Sequence, residues 1–133
     1  MSPCFADTYY FLALLNARDE AHQAAVALAA SLRRPIVTTT WILTELADGL
    51  AQTSGRAVFA SFLDRLRSDP RTSIVATTDD VFERGVRLYA GRPDKGWSLT
   101  DCISFTVMTE RGVTDALTAD HHFEQAGFAL LMK

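Results

Sequence analysis

The sequence has only two cysteines, Cys4 and Cys102, almost a hundred residues apart. Two thiols do not make a disulfide framework, so the fold rests on its core and a reducing cytoplasm is the expected location. No long apolar run is present. The apolar N-terminal stretch carries Asp7, ends at Asn16 and has no basic residue ahead of it, which argues against both a signal peptide and a membrane span. Lysine is almost absent, with Lys95 and Lys133 alone. Neither follows a strand as a phosphoacceptor receiver domain requires. There is no Gly-rich phosphate loop and no G-x-S-x-G elbow. Repeats, low-complexity segments, Gly/Ser/Pro linkers and blocks of like charge are also missing, which excludes a disordered or modular chain.

What is present fits one domain spanning residues 1–133. The chain is 48% hydrophobic, enough for a sizeable core at this length. Its net charge is −3. Taken alone, that opposes nucleic-acid binding, because affinity for a phosphate backbone rests on Lys and Arg. The cations, however, are nearly all arginine and crowd between Arg56 and Lys95. An acidic pocket beside an arginine-bearing rim gives the same total as arginines scattered in solvent.

Short apolar strands alternate with helices along the chain. Strands are predicted at Pro3–Ala6, Ile36–Thr38, Ser73–Ala76, Ala116–Thr118 and Phe128–Leu131. Between them lie an apolar helix over Tyr9–Leu15, a helix capped by Asp19 and stopped by Pro35, and one capped by Thr40 with Ile42, Leu46 and Leu50 on one face. Gly55 is read as a break before a helix marked by Val58, Phe59, Phe62, Leu63 and Leu66. Thr78 caps the next helix. Ser98 with Asp101 forms a capping pair for an apolar, central helix that ends at Gly112. Asp120 opens a short last helix. This alternation is the pattern of a parallel sheet with helices on both faces.

Ligands of such sheets bind beyond the carboxyl ends of the strands. Asp7 follows the first strand directly, and Asp120 lies just past another. Glu45 sits on the second turn of the helix after the second strand, and Asp101 starts the central helix. All four can face one rim. Singly, Asp101 and Asp120 are also readable as caps and Glu45 as a solvated helix residue. Asp7 is the sharpest signal, since a carboxylate at the end of a buried strand is costly to keep. Like charges so gathered need compensation. Oxygen-only ligands suit Mg²⁺, with Mn²⁺ as a substitute. Such a pocket orients a scissile phosphate, activates water and neutralises the leaving oxygen.

The stretch Phe5-Ala6-Asp7-Thr8 resembles the opening of a PIN domain. Thr44-Glu45-Leu46 and Ser98-Leu99-Thr100-Asp101-Cys102 resemble its second and third acidic motifs. Leu117-Thr118-Ala119-Asp120-His121-His122-Phe123, then Gly127-Phe128, resembles its C-terminal signature. The resemblance implies a three-layer α/β/α fold with a five-stranded parallel sheet. It implies a Mg²⁺-dependent endoribonuclease with Asp7, Glu45, Asp101 and Asp120 as catalytic and metal-holding residues. A stand-alone domain of this length is most similar to VapC-like toxins of type II toxin–antitoxin pairs. That implies an RNA substrate, a small cognate antitoxin and a homodimer, with no membrane partner. A housekeeping PIN nuclease and a non-catalytic PIN-fold binding module are the alternatives.

Further residues carry weaker expectations. Asp94 is a candidate for holding metal-bound water, and Asp48 for extending the acidic rim. Thr8 and Thr118 are candidates for orienting water or a carboxylate, and Ser98 for supporting Asp101. Asp79 and Asp80 suit a helix N-terminus, and Asp115 suits the far end of the sheet. His121 and His122, adjacent on a helix, are read as surface or partner-facing residues. Tyr9, Tyr10 and Trp41 are read as core before base-stacking residues.

Overall fold

The computed structural model describes residues 1–132. Five strands form one sheet: β1 (Cys4–Ala6), β2 (Ile36–Thr39), β3 (Thr72–Val75), β4 (Asp115–Leu117) and β5 (Ala129–Leu130). Their order is β3-β2-β1-β4-β5, and every pairing is parallel. Phe5 of β1 stands between Val37 of β2 and Ala116 of β4. The chain runs from the centre to one edge through β2 and β3. It then returns to the other side of β1 for β4 and β5. The direction therefore reverses between β1 and β4, and right-handed crossovers on the two sides of that point put helices on both faces.

The short strands follow from their burial. All three β1 residues are buried, as are Val37, Thr38 and Thr39 of β2. Strands covered on both faces carry near-continuous apolar or β-branched residues rather than an alternation. The edge strand β3 is only partly buried. Among the described residues seven helices surround the sheet: α1 (Thr8–Leu15), α2 (His22–Ser31), α3 (Thr40–Gly49), α4 (Thr53–Ser68), α5 (Asp79–Gly91), α6 (Leu99–Arg111) and α7 (His121–Gln125). Helix α6 is the central one, with Cys102, Ile103, Phe105, Val107 and Met108 all buried. A full Ser98–Asp101 capping box starts it, and Gly112 ends it in the left-handed region at φ 67°, a conformation that favours glycine.

Several local expectations shift. Thr39, not Thr40, caps α3, its hydroxyl accepting from the Ile42 N–H at 3.1 Å. Asp19 does not cap α2 directly; its carboxylate accepts the Ala21 N–H, and Ala21 is the N-cap residue. Gly55 is no break. It lies inside the first turn of α4, and the chain turns earlier, at Leu50–Gln52. Gly55 is still required there, because a Cβ on it would come within 2.2 Å of the Leu50 carbonyl oxygen. The turn backs so tightly onto the helix that only a hydrogen fits.

Gly85 plays a similar part between α5 and α6. A Cβ there would lie 2.5 Å from Ile103 Cγ1 and 3.3 Å from Ile103 Cα. Gly85→Ala is therefore expected to push α5 off α6 and cost about 1–3 kcal/mol. Urea unfolding would measure it, and an unchanged midpoint would mean that Ile103 simply rotates away.

Candidate active site

The site forms beyond the carboxyl ends of β1 and β4, at the point where the sheet order reverses. Asp7 is the first residue past β1 and occupies the N-cap position of α1, but its side chain makes no cap bond. It accepts a hydrogen bond from Thr118 Oγ1 at 2.9 Å, across the seam from β4. Asp7 is only 6% exposed. Burial pushes its carboxyl up to about 7. The Thr118 hydroxyl and the Thr8 backbone amide oppose this, and the nearby charges of Asp101 and Glu45 add to it. Withdrawal from water is the largest of these effects, as expected for an anion near an apolar core.

Thr118 is a relay in geometry. Its hydroxyl donates to Asp7 and accepts the Asp120 N–H at 3.1 Å. That fixes the start of α7. Asp120 caps this helix, Oδ1 accepting the His122 N–H at 2.9 Å. Thr8, the first residue of α1, donates from its hydroxyl to Glu45 Oε1 on α3. The two threonines thus orient carboxylates.

Asp101 completes the group from the first turn of α6. Its Oδ2 accepts the Ser98 N–H at 3.1 Å and lies 3.1 Å from His122 Nδ1. Capping a helix and facing the site are therefore one position here, not alternatives. Among the described residues, Glu45 Oε2, Asp101 Oδ1 and Asp120 Oδ2 accept no hydrogen bond from the protein. Each of these three carboxylates is steadied through one oxygen and leaves the other available. Together with a buried carboxyl whose charged form is disfavoured, this donor set fits a hard divalent cation.

His122 departs from expectation. His121 is exposed at 70% of its side chain, as a surface residue should be, but His122 is at 25%. Its Nδ1 faces both Asp101 Oδ2 and, at 3.5 Å, Asp120 Oδ1. Ligand atoms of Asp120, His121 and His122 all lie within 4.8 Å of one another, so adjacency did not separate the two rings. Both residues follow a capping Asp on a helix of five residues, where the side chains of the first turn gather around the cap. That capping position was the signal available in the sequence.

Other candidates lie elsewhere. Asp94 is engaged by Arg92 in a two-pronged ion pair, both N–O distances 3.0 Å, and that guanidinium lowers its pKa. Its charge is already matched, so the water-holding expectation is not supported. Asp48 is exposed and lines a groove with Leu43, Phe59, Leu63 and Arg67 between α3 and α4. Asp115 opens β4 at the opposite end of the sheet, paired with Arg34 at 2.7 Å. Asp79 and Asp80 do stand in the first turn of α5. Tyr10 is buried, whereas Tyr9 is 39% exposed and Trp41 half-buried.

Residues 4–129 match the PIN-domain family, and the chain belongs to it. Within that family it is a VapC-like endoribonuclease toxin. The 23S rRNA-specific endonuclease VapC20 of Mycobacterium tuberculosis is 33% identical over 125 residues, covering 93% of this chain and 94% of the relative. The crystal structure of Mycobacterium tuberculosis VapC20, described as a sarcin–ricin loop cleaving toxin, matches with a TM-score of 0.86 at 27% identity, over 96% of this chain and 97% of that one. FitAcB from Neisseria gonorrhoeae shares the fold, with a TM-score of 0.68 at 19% identity over 96% of this chain and 95% of that one.

Proposed function

We propose that Asp7, Glu45, Asp101 and Asp120 form the catalytic, metal-holding centre of this endoribonuclease, with Mg²⁺ as the working ion and Mn²⁺ as its substitute. The observation that carries this is the linked set of carboxylates around buried Asp7. Thr118 ties Asp7 to the start of α7, and the charges of Asp101 and Glu45 reach it. When bound, the ion supplies Lewis-acid activation of water and charge neutralisation at the scissile phosphate. The protein supplies the fixed oxygens and the partly dry setting. The substrate is ribosomal RNA, by likeness to VapC20. Exposed arginines of the arginine-rich segment, Arg56, Arg67 and Arg87, with the half-buried Lys95, are the candidates for RNA phosphate contacts.

The remaining assignments rest on membership among the toxins. They are a single PIN domain over residues 1–133, a small cognate antitoxin, a homodimer and a cytoplasmic location. No helix among the described residues is long and apolar enough to cross a membrane. Val58 on α4, 40% exposed, is the apolar position offered for the dimer surface.

The test is cleavage of total cellular RNA by purified, antitoxin-free protein, with Mg²⁺, Mn²⁺ or chelator, and new ends mapped by sequencing. Discrete cuts in ribosomal RNA that vanish with chelator are expected. Folded protein that leaves all RNA intact in either metal would defeat the assignment and favour a binding module.

A further inference from the structure

The structure assigns His122 a role beyond those four acids: we infer that it is a positioning residue, whose ring N–H holds Asp101 and steadies α7 beside it. The inference rests on the proposed carboxylate centre. Nδ1 of His122 lies 3.1 Å from Asp101 Oδ2. A carboxylate has no proton to give, so the hydrogen of this contact belongs to Nδ1. The same oxygen accepts the Ser98 N–H. Both donors therefore converge on Oδ2, and Oδ1 is left as the oxygen turned to other use.

The backbone of the same residue acts on the second acid. His122 N–H donates to Asp120 Oδ1. One residue thus grips Asp101 of α6 through its ring and Asp120 of α7 through its main chain. Those two acids come from elements nineteen positions apart in the chain, and α7 is a helix of only five residues. Short helices are weakly held by their own hydrogen bonds. A side-chain tie from α7 to the capped start of α6 sets the orientation of α7 against it. The far edge of the ring, Nε2, looks towards Gly96, where an added Cβ would still be 3.8 Å away. The ring is thus bounded by the loop before α6 and by His121, whose centroid is 4.5 Å from its own.

Hydrogen-bond partners of metal-holding groups typically change metal affinity by about 10–100-fold when lost. The experiment compares wild type, His122→Ala, His122→Asn and Asp101→Asn. Mn²⁺ affinity is measured by calorimetry and by electron paramagnetic resonance, RNA cleavage is resolved into kcat and KM, and melting is followed in chelator. An asparagine amide can place an N–H near the position of Nδ1. His122→Ala is expected to bind Mn²⁺ at least about tenfold more weakly and to lower kcat with KM for RNA unchanged. His122→Asn should recover Mn²⁺ binding to within about threefold of wild type, well inside the range that loss of such a partner produces. Metal-free melting should be alike in wild type and the two His122 variants.

Four results would overturn the role. The first is wild-type Mn²⁺ affinity in His122→Ala. The second is an asparagine variant as weak as the alanine one. The third is a rise in KM with kcat intact, which would make His122 an RNA contact. The fourth is a directly bound histidine nitrogen in the Mn²⁺ spectrum, which would make it a ligand. If Asp101→Asn binds Mn²⁺ as wild type does, the carboxylate centre itself is wrong, a result distinguishable from the other four.

Discussion

Asp7→Asn is expected to lower RNA cleavage at least about a thousandfold, the equivalent of about 4 kcal/mol of barrier, and yet to make the metal-free protein more stable at pH 8. The loss follows from removing one anionic oxygen from the centre while keeping its shape. The asparagine carbonyl can still accept from Thr118 Oγ1. The gain follows from the titration of Asp7. Burial holds its carboxyl at about 7 in the folded chain, well above the ordinary aspartate value of about 4. Below pH 4 both folded and unfolded chains hold the proton, and the group contributes nothing. Between pH 4 and 7 the folded chain keeps a proton that the unfolded chain has lost, so stability falls as pH rises.

Above pH 7 the full penalty applies, on the order of 4 kcal/mol. In chelator, the wild-type melting temperature should therefore drop from pH 5 to pH 8 more steeply than that of Asp7→Asn. Saturating Mn²⁺ at pH 8 should raise wild type and leave the variant nearly unmoved. A variant that cleaves at the wild-type rate, or whose metal-free melting is lower at pH 8, would show that Asp7 is not the buried anion at the centre.

The second large effect is expected at Phe123. This ring is fully buried, 4.9 Å from Phe105 in an edge-on contact and 6.3 Å from Phe5. Phe123→Ala should cost about 3–5 kcal/mol in urea unfolding. The same change should weaken Mn²⁺ binding, because Phe123 is the apolar anchor of the short helix that bears Asp120 and His122. Phe123→Leu keeps most of the volume and should recover most of both. If alanine at this position lowered stability but left metal affinity untouched, α7 would be held at the site by its cap and the His122 contact with Asp101 rather than by Phe123.

The strands and most caps were legible because each rests on a local rule. All five predicted strands occur within about a residue of their observed limits. Thr78, Ser98, Gly112 and Asp120 end or start helices as their chemistry dictates. The parallel arrangement, too, was readable from alternation. What was not legible depended on neighbours in space. Thr39 and Thr40 are the same residue type in consecutive positions, and only the depth of β2 decides which hydroxyl meets the Ile42 N–H. Gly55 was read as a chain break because a glycine before a helix commonly is one; the close approach of the Leu50 carbonyl is a tertiary fact. Asp94 was only a weaker candidate, and its charge is taken by Arg92, two positions back. His122 was misread for the complementary reason. Helical spacing ignores what a short capped turn does, and no sequence rule reports that α6 would bring Asp101 to it.

The Thr118–Asp7 hydrogen bond joins residues 111 positions apart. Order of synthesis therefore bears directly on the centre proposed here. A ribosome that has made every residue through α6 carries three of the four acids but no β4, no Thr118 and no α7. Until that last stretch emerges, β1 lacks its neighbour on one side of the sheet and Asp7 lacks its hydroxyl partner. The centre proposed here thus cannot close until β4, Thr118 and α7 have followed α6.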